Sequence, residues 1–378
     1  MSLNKFFISA AGSGKTTLIV NESLKSNEKI LITTFTLNNY LNIRDKIIRN
    51  NGYIPPNITI QTWFSFLIEH GIRPYRFWDK RISGMEFVSK ISAVRYYNKF
   101  GEPVCWDEEY NFNKHYFNSN NEIYSDKLAK LAVRCNEKSD GYVIRRLEKI
   151  FDRLYIDEIQ DMVGWDLELI NLFLHSSINI VLVGDPRQTV YLTHFDKKFK
   201  RYRYGNLKEF FLKFCKKVCH IDEMTLINSF RNSPEICEMS SRLYPELPSC
   251  QSQLRCSSEH MGFFLVKKRD VYHYCNKFNS IQLRWDKKTK VSPNSDFFNF
   301  GESKGSEFDH VLIYPTGPIL QWISNKTSHL TDISRAKLYV AITRARFSVG
   351  FVVGDNFNIK IEGILLYSPA ENSDHTKN

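Results

Sequence analysis

The run Ser9-Ala-Ala-Gly-Ser-Gly-Lys-Thr-Thr17 has the residue types of a phosphate loop. Glycines let backbone N–H groups close on phosphate oxygens, and a helix starting where the loop ends adds its positive dipole end. On that reading Ala11, Gly12, Ser13, Gly14, Lys15, Thr16 and Thr17 form the cradle, Lys15 neutralises the β- and γ-phosphates, and the Thr16 hydroxyl ligates magnesium. Ser9 stands where the generic pattern has glycine, and a glycine-rich turn with an incidental lysine is the plain alternative. The complementary chemistry lies in Leu154-Tyr-Ile-Asp-Glu-Ile-Gln-Asp161. A carboxylate at the end of a buried strand is costly unless it meets a cation, so Asp157 suits a magnesium shell. Glu158, one residue on, suits a base that orients and deprotonates an attacking water. Alone, such a pair after a strand is more often the acidic first turn of a helix, and following a phosphate loop in the same chain reverses that.

Short apolar runs alternating with amphipathic stretches must position these residues. Phe6 to Ser9, Ile30 to Thr34 and Ile58 to Thr62 read as buried strands, with helices over Thr16 to Leu24 and around Leu41, Ile43, Ile47 and Ile48. Strand character returns at Leu154 to Ile156, Ile180 to Val183, Val311 to Tyr314 and Phe347 to Val353. Such alternation implies parallel βαβ units whose ligand-binding loops sit at the carboxyl ends of the strands. The expected fold is α/β. Residues 1–65 with 142–220 form a first sheet lobe, 66–141 a mostly helical insertion, and 221–370 a second lobe with an irregular, reduced insertion at about 245–296. Residues 371–378 are expected to be a flexible tail.

The motifs together resemble, in order and over most of the chain, a superfamily 1 helicase of the UvrD/Rep type. Thr34-Phe-Thr-Leu-Asn38 is similar to the family's Thr-Phe-Thr-Asn segment, which implies single-stranded-DNA contacts from Phe35 and Thr36. Gln61-Thr-Trp-Phe-Ser65 resembles the next DNA-contacting motif, with Thr62 and Trp63. Asp157-Glu-Ile-Gln-Asp161 matches Asp-Glu-x-Gln-Asp, and Val183-Gly-Asp-Pro-Arg-Gln-Thr-Val-Tyr191 implies Gln188 as γ-phosphate sensor and Tyr191 as a DNA contact. Ser229-Phe-Arg-Asn232 implies that Phe230 stacks on adenine and Arg231 is an arginine finger. Ser303-Lys-Gly-Ser-Glu-Phe308 resembles the segment coupling nucleotide state to DNA grip, which brings Glu307 to the nucleotide, and Thr343-Arg-Ala345 implies Arg344 as the second finger.

The resemblance thus implies two RecA-like lobes, ATP and magnesium between them, and 3′-to-5′ movement on single-stranded DNA. Departures point to a compact member. Little chain precedes the phosphate loop for the glutamine motif that reads adenine, and the interval from Arg231 to Lys304 is short for the family's large accessory domain. Thr193 and Gly301 replace a base-stacking tryptophan and a DNA-facing histidine. A competing reading of another class is an ATP-gated DNA-binding subunit of a nuclease complex, as in anti-phage defence. RNA as substrate is a third.

Composition fits either reading. The chain has 378 residues, 25% of them charged, and a net charge of +11, which favours polyanionic partners. The run Lys197-Lys-Phe-Lys-Arg-Tyr-Arg-Tyr204 interleaves cations with aromatics and suits either a nucleic-acid path or a solvated loop. Eight irregularly spaced cysteines suggest reduced thiols more than a disulfide framework or a zinc site. No apolar run is long enough for a membrane span, so a cytoplasmic protein is expected.

Overall fold

A computed structural model describes residues 4–75, 91–92, 106–193, 197–293, 295–325 and 329–369. Much of the expected helical insertion and the whole tail at 371–378 lie outside the described residues. The chain divides into two compact units. The first comprises Met1–Ile8, Lys15–Pro186 and Tyr191–Asp222, and the second Ser9–Gly14, Arg187–Val190 and Glu223–Asn378.

The strands of the first sheet are β1 (Asn4–Ser9), β2 (Ile30–Thr34), β3 (Ile58–Thr62), then, beyond a short pair β4 (Ile91–Ser92) and β5 (Ile123–Tyr124), β6 (Arg153–Asp157), β7 (Asn179–Gly184) and β8 (Cys219–Leu226). Their order is β3-β2-β6-β7-β1-β8, with parallel pairing from β3 through to β1. Helix α1 (Lys15–Leu24) follows β1, and α2 (Leu37–Asn51) follows β2. Helix α2 shows how local chemistry sets the limits of an element. The Thr36 hydroxyl accepts the Asn39 N–H at 3.2 Å at one end, and Gly52, at φ 83°, turns its N–H back to the Ile48 carbonyl at the other. Between them Ile43 and Ile47, one turn apart, are buried.

Phe6, Ile8, Leu31, Ile156 and Leu182 from this sheet share a core with Ile170 and Phe173 of the helix Trp165–Leu174. Leu128, Leu131 and Ala132 of the helix Leu128–Lys138 in the insertion join the same core, so the described part of the insertion is packed onto the sheet lobe.

In the second unit, β9 (Asn228–Ser229) pairs with β10 (Gln251–Ser252) as a short ribbon. The strands β11 (Gly262–Lys267), β12 (Ile281–Arg284), β13 (Phe297–Asn299), β14 (Phe308–Ile313), β15 (Ala345–Val353) and β16 (Leu365–Leu366) form the second six-stranded sheet, in the order β13-β12-β14-β15-β11-β16. All its pairings are parallel. Two parallel sheets flanked by helices are the α/β architecture expected.

The stretch at about 245–296, expected to be irregular, instead supplies β11 and β12 with the helix Val271–Phe278 between them. The reason is physical. Phe263, Leu265 and Val266 are all buried in a strand covered on both faces, so the run has no alternation and is too short to declare itself. Among the described residues no helix is long and apolar enough to cross a membrane.

Gly350 sits inside β15, where an added Cβ would lie 2.8 Å from Leu312 Cδ1, 3.1 Å from Val266 Cγ2 and 3.2 Å from Tyr274 Cζ. Gly350→Ala should therefore lower stability by about 1–3 kcal/mol through overpacking. Chemical denaturation reads this directly, and an unchanged midpoint would count against this packing.

Candidate functional site

Parallel pairing brings the ends of the strands of the first sheet to one edge. Thr34 lies beside Thr62, Asp157 beside Val183, and Ile8 beside Gly184. The residues that follow β1, β2, β3 and β6 therefore emerge at the same carboxyl edge, the usual ligand edge of such sheets.

The phosphate loop leaves β1 there. Gly12 and Gly14 adopt φ 70° and 86°, a region that side chains disfavour, and Lys15 opens α1. The Ser13 hydroxyl is buried without a hydrogen-bond partner. A loop with two left-handed glycines, an orphaned hydroxyl and a lysine at a helix start fits a phosphate chain.

The acids leave β6 on the same edge. Asp157 is 2% exposed at the strand's last position, and its Oδ1 accepts the Glu158 N–H at 3.0 Å. Glu158 has φ 57°, left-handed for a residue with a Cβ, a strain of order 1–3 kcal/mol that tends to gather at functional sites. Its Oε1 lies 3.9 Å from the Lys15 ammonium, and its Oε2 accepts a hydrogen bond from the Gln160 amide. A buried carboxylate and the Thr16 hydroxyl make an all-oxygen donor set of the kind magnesium takes.

In the second unit the sequence-predicted residues converge around Arg231 and Arg344. Arg231 Nε donates to Glu307 Oε2 at 2.8 Å, and Glu307 also lies 3.6 Å from Arg346. Arg344 is 1% exposed. Its Nε donates to the Val340 carbonyl at 3.1 Å, Nη1 to the Ser306 carbonyl at 3.1 Å, and Nη2 to Gln188 Oε1 at 3.3 Å. Gln188 and Arg344, assigned to sense and stabilise the same phosphate, are thus neighbours. Phe230 is 60% exposed, with its ring available for stacking, and its N–H donates to the Gly12 carbonyl at 2.9 Å.

The expected DNA contacts divide. Phe35 is half-buried with its ring 5.4 Å from Phe64, Thr36 is exposed, Thr62 caps the turn that follows β3 by accepting the Ser65 N–H at 3.2 Å, and Tyr191 is exposed. Trp63 is a correction. It is 0% exposed, its indole N–H donates to Asp166 Oδ1 at 2.8 Å, and its ring stacks on Phe66. A side chain so enclosed supports the edge from below and cannot touch a strand of DNA. In the basic-aromatic run, Phe199 and Tyr202 turn inward onto Phe210 and Phe214, while Lys197, Lys200 and Arg201 are exposed. The cations suit phosphates, but Tyr202 is core and Phe199, half-buried, packs against it.

Sequence reasoning missed Lys46. Its ammonium, on α2, donates to the Thr17 hydroxyl, and burial, reinforced by Arg49, lowers its pKa. It also missed Tyr339, whose hydroxyl accepts the Ala11 N–H at 3.2 Å. Both lie far along the chain from the residues they touch, and no local spacing signals either.

Residues 94–195 match the family model of the UvrD/REP helicase N-terminal domain. Over this segment the chain is similar to the UvrD/REP helicases. The UvrD/REP match includes Asp157, Glu158, Gln188 and Tyr191. No curated protein matches the chain. Among solved structures, the arterivirus nonstructural protein 10 helicase is similar over 92% of this chain and 59% of its own, at 12% identity and TM-score 0.46. The PRRSV helicase is similar over 95% and 55%, at 16% identity and TM-score 0.44. A complex of the arterivirus protein with DNA is similar over 93% and 61%, at 13% identity and TM-score 0.44. The chain thus spans between 55% and 61% of the length of these helicase chains.

Trp63→Phe separates support from contact. Deleting the indole N–H removes its hydrogen bond to the buried Asp166 carboxylate, a cost of about 1–3 kcal/mol. The melting temperature should fall while the affinity of the folded protein for single-stranded DNA stays within about twofold. A large affinity loss at unchanged stability would restore Trp63 to the DNA face.

Proposed function

We propose that the chain is an ATP-driven motor that moves 3′-to-5′ along single-stranded DNA. The observation that carries this reading is the Lys15–Glu158 pair, 3.9 Å apart beside the buried Asp157 at one carboxyl edge. The polarity and the choice of DNA rest on the motif resemblance.

In the proposed cycle the phosphate loop holds the triphosphate through its backbone N–H groups and Lys15. Phosphate oxygens carry more charge than one carboxylate and draw the Lys15 ammonium from Glu158, which is then free to take a proton from water. The hydrogen bond from Gln160 keeps Glu158 oriented during that exchange. A magnesium ion held by Thr16 and Asp157 would withdraw charge from the phosphates. Gln188 senses the γ-phosphate. Arg231 and Arg344 meet the charge developing on the γ-phosphate, the role in which an arginine finger is worth about 10³–10⁵ in rate. Phe230 offers an exposed ring for a base. Phe35, Thr36, Thr62 and Tyr191 serve the strand, whose recognition by stacking and phosphate neutralisation tolerates any sequence.

Lys15→Ala should abolish ATP hydrolysis and leave single-strand binding within a few fold. Turnover equal to that of the parent would remove the phosphate-loop assignment. Arg344→Lys, which keeps the charge but loses the planar fork, should retain ATP binding and lose about 10³ in kcat. An unchanged kcat would discard the finger role. Strand displacement on substrates with 3′ or 5′ tails tests the motor itself. Displacement from 3′ tails supports it, whereas DNA-stimulated turnover without displacement favours a gated subunit that works with a nuclease.

A further inference from the structure

Beneath the turn Ser229–Asn232 lies a pair of thiols that the proposed cycle does not use. Cys237 is buried on the helix Pro234–Arg242, and Cys250, half-exposed, immediately precedes β10. Their sulfurs are 3.4 Å apart. The segments that carry them clasp the turn from two sides. β10 pairs with β9, the Gln253 N–H donates to the Ser229 carbonyl at 2.7 Å, and the Ser252 hydroxyl donates to the Asn232 carbonyl at 2.7 Å. On the other side Cys237 Sγ approaches that same Asn232 carbonyl at 3.8 Å, and the Cys250 N–H donates to Ser241 Oγ on the helix at 2.9 Å. A two-residue ribbon is weak by itself, and these side-chain and backbone bonds are what supplement it.

We propose that Cys237 and Cys250 are a reversible oxidation site whose disulfide locks the turn carrying Phe230 and Arg231. Cys250, the more accessible thiol, meets a peroxide first. Its sulfur takes one oxygen to become a sulfenic acid, and one water leaves. The Cys237 sulfur then attacks the Cys250 sulfur and loses its proton. The S–O bond breaks and a second water is released. In sum, two thiols and one hydrogen peroxide give one disulfide and two waters. A dithiol reductant restores both thiols by exchange. The hydrogen bond with Cys250, together with burial, pushes the Cys237 thiol upward, which disfavours it for first attack on peroxide. Cys256, the exposed thiol among the described residues, has its sulfur engaged by Arg346 Nη2 at 3.2 Å.

The lock has a stated consequence. A covalent clasp holds Ser229–Asn232 in the geometry in which Arg231 pairs with Glu307, so turnover slows while the disulfide persists. That consequence rests on the ATPase reading, and the linkage itself does not.

The test treats the full chain with hydrogen peroxide, maps disulfides by mass spectrometry without reduction, and follows amide exchange over residues 228–253. The expected result is a Cys237–Cys250 linkage, exchange several-fold slower at 228–232, and reversal of both by a dithiol. Cys250→Ser should abolish linkage and protection together, and Cys256→Ser should keep both. No linkage, a linkage through Cys256, or a linkage without slower exchange each overturns the proposal. Because linkage and exchange are read on the protein itself, a chain that never hydrolyses ATP would defeat the functional reading and leave this one intact. In an active chain, ATP turnover equal before and after full linkage overturns the proposed lock.

Discussion

Lys15 and Glu158 carry opposite charges 3.9 Å apart at the carboxyl edge of one sheet, and the first unit is arranged so that they can meet. The loop before Lys15 leaves β1, and Glu158 follows β6, yet β7 runs between those strands. The turn after β6 must therefore fold over the end of β7. Gly184, the last residue of β7, makes that possible. A Cβ there would lie 2.4 Å from Gln160 Oε1 and 2.6 Å from Ile159 Cγ2, inside any tolerable contact. The space it leaves is filled by Gln160, whose side chain accepts the Asp185 N–H at 3.1 Å and donates to Glu158. One glycine, one amide and one strained carboxylate residue form a single device that aims Glu158 at Lys15.

The second unit solves a different electrostatic problem. A guanidinium buried as deeply as that of Arg344 loses its hydration, a cost that is large unless its donors find acceptors. Here two main-chain carbonyls and the Gln188 amide oxygen take its N–H groups. Arg231 donates to Glu307 at 2.8 Å, so a carboxylate already stands beside its guanidinium. An anion that approached Arg231 would compete with that carboxylate.

What could be read along the chain follows from distance in sequence. Gly12 to Thr16 and Asp157 to Asp161 are local patterns, and the structure folds each as a turn at a strand end. The fate of Trp63 was hidden because Asp166, its partner, is 103 positions away. An aromatic next to a cap can face solvent or core with equal ease, and only the tertiary partner decides. Phe199 and Tyr202 are the same case, since Phe210 and Phe214 draw both rings against the core. β11 escaped notice for the opposite reason: burial on both faces removes the alternation by which a strand is read. Lys46 reaches Thr17 across 29 positions, through the packing of α2 on α1, which no spacing rule encodes.

Gly12 joins these two kinds of information. Read along the chain, it is a glycine of a phosphate-loop pattern, in which backbone would come close to phosphate oxygens. In the fold it is a glycine for a second reason. At φ 70° it faces Arg231 and Ser229 so closely that a Cβ would lie 2.6 Å from Arg231 Cβ and 2.7 Å from Ser229 Oγ, while its carbonyl accepts the Phe230 N–H. The turn that carries the ring and the guanidinium therefore packs directly on the backbone of the phosphate loop. On the proposed function, a change in that backbone on binding a triphosphate would reach Phe230 and Arg231 by direct contact, because no side chain at position 12 separates them.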